Sequence, residues 1–203
     1  MRTDFDPDEL GPGAFYKFLT GVVVPRPIAW VATTSADGVH NLAPHSFFTV
    51  ACVTPPIVQF TSVGRKDSLA NVEATGEMTV SLTPEWLVDE VNATATNFEH
   101  GRDEFAEVGL EPEPALRVRP PRVARSPVAL ECVLHSTVGL GDSTVVFGRV
   151  VHAVVSDDVL VDGRPDVGRL KPLARLGGSQ WSTIGEVLER RRIDVRDWDY
   201  PGD

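Results

Sequence analysis

The sequence predicts a mainly β fold, an antiparallel barrel with helical insertions, and three observations support this prediction. Short apolar runs rich in Val, Ile, Thr and aromatic residues recur along the chain and give seven or eight candidate strands. Turn signals separate these runs, such as Asp37-Gly38 early in the chain and the 139–142 segment later. The strands do not alternate one for one with helices, which disfavours a doubly wound parallel sheet.

Each element follows from its local pattern. Helices are expected at residues 14–19, at 84–95 with a proline near the first turn, and from a cap at Asp67 or Ser68 to a stop at Gly76. The candidate strands are residues 28–34, 39–42, 47–53, 57–62, 78–82, 128–135, 144–155 and 159–161.

The pattern weakens over residues 98–125, which we interpret as a long surface excursion of unknown role. Its run of arginines is interrupted by prolines and lacks interleaved aromatics, so a solvated loop is favoured over an RNA-binding surface. That run comprises Arg117, Arg119, Arg122 and Arg125. Glu131 lies among apolar neighbours, so it is expected either to pair with an arginine or to point outward.

Composition and charge limit the possible partners. The 203 residues suit one domain over residues 1–203, with a polar tail at 182–203 that is expected to be partly loose. A formal net charge of −10 disfavours nucleic acid and means that a bound phosphate must be held by a few local donors. Two cysteines, no apolar run of 18 residues and no signal-like start favour a reduced, cytoplasmic protein without a membrane span. The five histidines show no metal-ligand spacing, so no metal site is expected.

The segment from Gly64 to Ser68 is a candidate phosphate site. It follows a strand and opens a helix, whose first N–H groups carry a partial positive charge. Arg65, Lys66 and the Ser68 hydroxyl would add donors at that end. The alternative is an ordinary capped helix with two solvated cations.

Two further segments could contact a polar ligand. Residues 41–48 mix small, polar and aromatic side chains between two strands, although a simple tight loop would show the same pattern. Arg26 stands between Pro25 and Pro27, which hold it extended and suit it to a phosphate or carboxylate. The alternative is a rigid strand entry with a solvent-exposed arginine.

The order of several motifs resembles the flavin reductase-like family of FMN-binding split barrels, in particular its flavoredoxin and DIM6/NTAB-type branch. The resemblance covers roughly residues 20 to 181. It rests on the segments 25–31, 37–38, 41–48, 55–56, 66–71, 103–105, 126–132 and 175–178.

The resemblance implies a homodimeric Greek-key split β-barrel with FMN near the subunit interface. By position, the implied flavin contacts are Asn41, Ala43, Pro44, His45, Ser46 and Phe47 in one loop, Thr61 and Ser62 at a strand end, and Arg65, Lys66, Asp67 and Ser68 for the phosphate. Trp181 replaces the tyrosine that the family often has after the Gly177-Gly178 pair, so it is expected either to stack near the flavin or to pack at the dimer interface.

The function that this resemblance implies is an FMN-dependent oxidoreductase, foremost an NAD(P)H-dependent flavin reductase that could supply a partner monooxygenase. The alternatives are a flavoprotein acting directly on an organic substrate, a non-enzymatic FMN carrier, or a split barrel that has lost its flavin. No Gly-rich dinucleotide fingerprint is present, so NAD(P)H and the flavin are expected to share one open cleft. Because a flavin carries out the redox chemistry itself, no catalytic side chain is predicted.

Overall fold

A two-residue connection between strands at opposite edges of one sheet determines the architecture. The computed structural model describes residues 1–198, and residues 199–203, the end of the predicted tail, lie outside the described residues. The strands are β1 (Arg26–Pro27), β2 (Ala29–Thr34), β3 (His40–His45), β4 (Phe48–Cys52), β5 (Ile57–Val63), β6 (Glu77–Ser81), β7 (Pro112–Glu113), β8 (Arg122–Val123), β9 (Val128–Leu140), β10 (Ser143–Val155), β11 (Leu160–Val161), β12 (Arg164–Pro165), β13 (Ala174–Arg175) and β14 (Trp181–Ser182). The helices are α1 (Pro7–Leu10), α2 (Pro12–Val22), α3 (Asp67–Thr75), α4 (Val88–Ala93), α5 (Glu104–Val108) and α6 (Val167–Leu170).

Seven of these strands form an antiparallel sheet in the order β3-β2-β6-β9-β10-β5-β4. If the sheet were flat, its edge strands β3 and β4 would be about 29 Å apart, because neighbouring strands are spaced by about 4.8 Å. The chain from His45 to Phe48 spans at most about 11 Å. The sheet must therefore roll up until its edges approach each other, and β3 contacts β5 directly. The predicted split β-barrel fold is confirmed.

The barrel encloses one apolar core, and a second core lies outside it under the helices. Strand β2 is buried along its whole length, so it contributes side chains to both cores. Val31 packs in the first core with Phe60 and Met78. Trp30 packs in the second, and its indole N–H donates a 2.8 Å hydrogen bond to Thr94 Oγ1.

Helix α3 begins at Asp67, so its N-cap lies one residue before the predicted cap Asp67 and two before the alternative, Ser68. Its N-cap is Lys66, which has extended backbone angles and makes no side-chain capping bond. The helix ends at Gly76, which has the left-handed φ of 74° that glycine adopts without strain. Asp67 does not cap the helix because its carboxylate bonds to another segment, described below.

Residues 98–125 are not the plain surface excursion that the sequence predicts. They contain α5 and the β7–β8 pair, and they bury Phe105, Leu110 and Val123 in the second core. The arginines are not simply solvated either, because Arg119, Arg122 and Arg125 form ion pairs with Glu77, Glu113 and Glu90, respectively.

Two other predicted elements differ in detail. Residues 84–95 form a 3₁₀ turn at Glu85–Leu87 followed by α4, and the strand expected at 159–161 is reduced to β11, which pairs with β12. Glu131 is fully buried and lies 3.9 Å from Arg122 and 3.2 Å from His152, so it pairs with an arginine and does not point outward.

None of the helices within residues 1–198 has the length and apolar character needed to cross a membrane.

Candidate functional site

A cleft opens where the two edges of the rolled sheet approach each other. It has a volume of about 420 Å³, within the range of about 300–1,000 Å³ that is usual for small-molecule sites. One side is formed by β3 and the following loop, a second by the end of β5 and the start of α3, and the third by the segment after α4. Its lining residues are Tyr16, Asn41, Ala43, Pro44, His45, Ser46, Phe47, Thr61, Val63, Lys66, Asp67, Ser68, Thr94, Ala95, Thr96, Asn97, Phe98, His100 and Glu104.

The inner wall of the cleft is polar and ordered by side-chain hydrogen bonds. Asn41 Nδ2 donates to Ser68 Oγ at 3.1 Å, and His45 Nε2 lies 3.3 Å from the same oxygen. All three side chains are buried. Ser68 therefore links the first turn of α3 to strand β3, which fixes the two halves of the cleft relative to each other.

His45 is neutral in this wall. Burial lowers its pKa to about 4, and nearby Lys66 adds to this effect, while a hydrogen bond with the Thr61 backbone opposes it. Its ring also packs 4.5 Å from that of Phe60. The imidazole can thus act as a hydrogen-bonding group near neutral pH, but it brings no charge to a ligand.

The N-terminus of α3 forms the end of the cleft best suited to an anion. Lys66 is the N-cap residue, and within the part of the chain that the structure describes its side chain makes no capping hydrogen bond. Lys66 lines the cleft with Asp67 and Ser68. First-turn N–H groups, the helix dipole and one ammonium group together favour a phosphate here.

A strap of residues 95–101 crosses from the second core to α3. Thr94, which precedes it, is held by Trp30 and by the carbonyl of Val91. At its far end, Asp67 Oδ2 accepts the Gly101 N–H at 3.0 Å, and Asp67 Oδ1 contacts His100 Nδ1. The strap is therefore tied at both ends and forms one wall of the cleft.

Glu104, at the start of α5, is a second acid in this wall. Its side chain is buried, and Oε2 accepts the Leu42 N–H at 2.8 Å. Leu42 lies on the open edge of β3, where an N–H has no neighbouring strand to bond with.

The structure brings ten of the residues predicted from the sequence into this one cleft. They are Asn41, Ala43, Pro44, His45, Ser46, Phe47, Thr61, Lys66, Asp67 and Ser68. Their contact with a flavin stays a prediction.

The other four predicted residues do not line the cleft. Ser62 is buried and donates to the Gly64 carbonyl at 2.9 Å, while Arg65 pairs with Glu73 at 2.5 Å on the exposed side of α3. Trp181 packs against the second core with Arg175 above its ring at 4.4 Å.

Arg26 is buried, and its guanidinium holds three backbone carbonyls together. It donates to Thr20 at 2.6 Å, Val23 at 2.8 Å and Leu176 at 2.8 Å. These contacts join the end of α2 to the loop before β14. Arg26 is therefore neither exposed to solvent nor free to bind a phosphate, and both interpretations of this residue from the sequence are wrong.

Sequence reasoning missed most of the third wall. Thr94, Phe98 and Glu104 line the cleft. Residues 103–105 contributed to the family resemblance, but nothing local placed Thr94 or Glu104 in the cleft, since they are held there by contacts with strands 64 and 62 positions away. His100, on the same segment, also lines the cleft. Within residues 1–198, no group of three or more His, Cys, Asp or Glu side chains is arranged to hold a metal ion.

Comparison with known proteins identifies relatives of this chain in sequence and in fold. The model of the flavin reductase like domain family matches residues 21–171. An uncharacterized protein of Deinococcus radiodurans is 36% identical, with 97% of this chain and 92% of the relative covered.

Two solved structures share nearly the whole fold. Nitrilotriacetate monooxygenase component B from Bacillus cereus has a TM-score of 0.89 and 31% identity, with 94% of this chain and 99% of that chain covered. The 2-nitrobenzoate 2-nitroreductase of Pseudomonas fluorescens also has a TM-score of 0.89, with 25% identity and coverage of 98% and 100%. The chain therefore belongs to the flavin reductase-like family, and it is a flavin oxidoreductase with the split-barrel fold of that family.

Proposed function

We propose that the protein binds FMN in this cleft and acts as an NAD(P)H-dependent flavin reductase. The observation that carries the proposal is the uncapped N-terminus of α3 beside Lys66, at the end of a cleft of suitable size. It provides positive charge and free N–H groups for a terminal phosphate in a chain whose net charge is −10.

The rest of the cleft fits the other parts of a flavin. Asn41, Ser46 and Ser68 offer polar groups for a ribityl chain, and Phe47 and Phe98 offer apolar surface for a planar ring. When bound, the flavin supplies the hydride-accepting chemistry itself. The protein holds and orients it, and the strap at 95–101 excludes water from one side.

We further propose that a nicotinamide nucleotide reaches the flavin through the same cleft and that the protein works as a homodimer. The edge strand β4 supports the second point, because Val50 on it is 69% exposed and Val53 just after it is exposed as well. An apolar edge strand of this kind is normally covered by another chain. We expect reduced flavin to be released to a partner monooxygenase, as the name of the Bacillus cereus neighbour suggests.

The test is oxidation of NADH and NADPH by the purified protein with FMN, FAD or riboflavin. We expect FMN-dependent oxidation of at least one nucleotide. Protein that binds no flavin after incubation would overturn the proposal. Molecular mass in solution tests the dimer.

A second candidate is direct reduction of an organic substrate. The nitroreductase of Pseudomonas fluorescens, at 25% identity over nearly the whole chain, favours a nitroaromatic acid. Nucleotide oxidation that requires a nitrobenzoate and does not proceed with free FMN would select this candidate over the reductase.

A further inference from the structure

Two glutamates are buried among residues 1–198, Glu104 and Glu131, and of these two Glu131 alone has a cation to compensate its charge. Glu131 accepts the backbone N–H groups of Leu116 and Arg117 and lies near Arg122 and His152. For Glu104, no Lys, Arg or His nitrogen from residues 1–198 lies within 4.0 Å of the carboxylate. Glu104 is also the one of the two that lines the cleft.

The hydrogen-bonding capacity of Glu104 is largely unused. The residue is only 8% exposed, and the Leu42 N–H donates to Oε2, while no other residue among 1–198 donates a hydrogen bond to this carboxylate. An ionised carboxylate offers about four acceptor positions. A buried charge that lacks further donors is costly, and a ligand donor would offset this cost.

The surrounding charges make the need for a donor greater. Burial raises the pKa of Glu104, the Leu42 N–H and its own amide lower it, and the carboxylates of Asp67 and Asp103 raise it again. Among residues 1–198, therefore, no cation balances the carboxylate.

We propose that Glu104 is a specificity-determining residue that accepts a hydrogen bond from a donor group of the bound flavin while it holds Leu42. This inference rests on flavin binding in the cleft. A flavin has two kinds of donor, the imide N–H of the ring and the hydroxyls of the ribityl chain, and either kind matches a carboxylate acceptor.

Glu104→Gln separates recognition from a purely structural role. The glutamine oxygen can still accept the Leu42 N–H, so the open edge of β3 stays capped. Its other end becomes an NH₂ donor, which cannot pair with a donor on the flavin. Glu107→Gln is the matched control, since Glu107 lies on the same helix, is exposed, pairs with Arg102 and does not line the cleft.

The experiment is a titration of wild type, Glu104→Gln and Glu107→Gln with FMN, riboflavin and lumiflavin, followed by flavin fluorescence, with thermal unfolding measured in parallel. We expect Glu104→Gln to bind FMN and riboflavin at least about tenfold more weakly, the loss expected for one charge-assisted hydrogen bond. Glu107→Gln should bind like wild type.

Lumiflavin identifies the donor, because it keeps the ring imide and lacks the ribityl hydroxyls. Weaker lumiflavin binding by Glu104→Gln assigns the ring, and unchanged lumiflavin binding assigns the ribityl chain. Wild-type affinity of Glu104→Gln for both FMN and riboflavin would overturn the inference. A wild-type protein that binds none of the three flavins would instead overturn the proposed function.

A measurement on the wild type covers the case in which Glu104→Gln does not fold. A donor on the flavin favours the ionised form of the Glu104 carboxylate. As the pH falls toward the raised pKa of Glu104, riboflavin binding should therefore release protons, and the affinity of the protein for riboflavin should weaken. Riboflavin has no phosphate that could titrate. Calorimetry in two buffers of different ionisation enthalpy counts the protons, and binding without proton release would contradict the inference.

Other ionisable groups lie around Glu104 on each of the elements packed against it. His45 on β3 has a pKa lowered to about 4, Lys66 and Asp67 lie on α3, and His100 and Asp103 lie on its own segment. Glu107→Gln, which lies outside the cleft, serves as the control for the proton count and should leave the release attributed to Glu104 in place.

Discussion

Asp67 Oδ2 accepts a 3.0 Å hydrogen bond from the Gly101 N–H, so the first residue of α3 holds the end of the strap that walls the cleft. Asp67 Oδ1 also contacts His100, whose side chain is 83% exposed. Because an ion pair at such an exposed position contributes little, the backbone hydrogen bond is the stronger part of this attachment.

Asp67→Ala is therefore expected to loosen the strap. It removes both contacts of the carboxylate, whereas Asp67→Asn keeps an oxygen that can accept the Gly101 N–H. Hydrogen exchange of residues 95–102 should become faster in Asp67→Ala, while α4 and β2 remain protected as internal controls. Exchange as fast in Asp67→Asn as in Asp67→Ala would show that the charge, rather than the hydrogen bond, holds the strap.

The parts of the site that could be predicted are those determined by neighbours in sequence. A strand followed by a basic turn and a helical pattern places Lys66 at a helix N-terminus whatever the rest of the fold does. The alternation of apolar residues likewise predicted most barrel strands within a few positions.

The parts that could not be predicted depend on distant contacts. Glu104 and Leu42 are 62 positions apart, and Trp30 and Thr94 are 64 apart, so no local pattern records either pair. The prolines that flank Arg26 did indicate a fixed backbone, but they contain no information on the carbonyls that surround its side chain. Similarly, the prolines within residues 98–125 favoured the prediction of a surface loop, although this segment contributes side chains to the second core.

Arg26→Ala is expected to destabilise the fold. It leaves the carbonyls of Thr20, Val23 and Leu176 without their donor, and hydrogen bonds from a charged group each contribute about 1.5–3 kcal/mol. We expect the free energy of unfolding, from urea denaturation, to fall by about 3 kcal/mol or more. Arg175→Ala, which removes a half-buried arginine that donates to only one carbonyl, that of Gly178, is the control. Equal stability of the two variants would argue against the carbonyl cluster as a stabilising element.

Gly148→Ala is expected to strain the barrel core. A Cβ at Gly148 would lie 1.9 Å from Met78 Cε and 3.2 Å from Cys132 Cβ, and the second atom cannot move without the backbone of β9. Overpacking of this kind usually costs about 1–3 kcal/mol. Gly139→Ala on β9 meets no atom within 4 Å and should leave the midpoint of thermal unfolding almost unchanged. A Gly148→Ala protein as stable as Gly139→Ala would mean that Met78 repacks freely.

Acid is expected to destabilise the protein partly through His45. Its pKa is lowered to about 4 by burial, whereas an unfolded histidine titrates near about 6.5. Between these values the unfolded chain binds more protons, so stability is lost as the pH falls from about 6.5 to about 4, by up to about 3 kcal/mol. Urea denaturation of wild type and His45→Gln over this range tests the assignment. The slope against pH should be shallower in the variant, and identical slopes would exclude His45 as its source.

Two adjacent cations at the start of α3 should differ in their effect on flavin binding. Lys66 lines the cleft, whereas Arg65 is turned to the exposed side and pairs with Glu73 at 2.5 Å. If the phosphate of FMN lies at this helix N-terminus, Lys66→Ala loses one charge-assisted contact and should weaken FMN binding about tenfold. Riboflavin lacks the phosphate, so its affinity should not change. Arg65→Ala should bind both flavins like wild type, which separates the local contact from a general loss of positive charge. An equal loss of affinity for FMN and riboflavin in Lys66→Ala would contradict a phosphate site at α3, because the lysine would then act on a part that both flavins share.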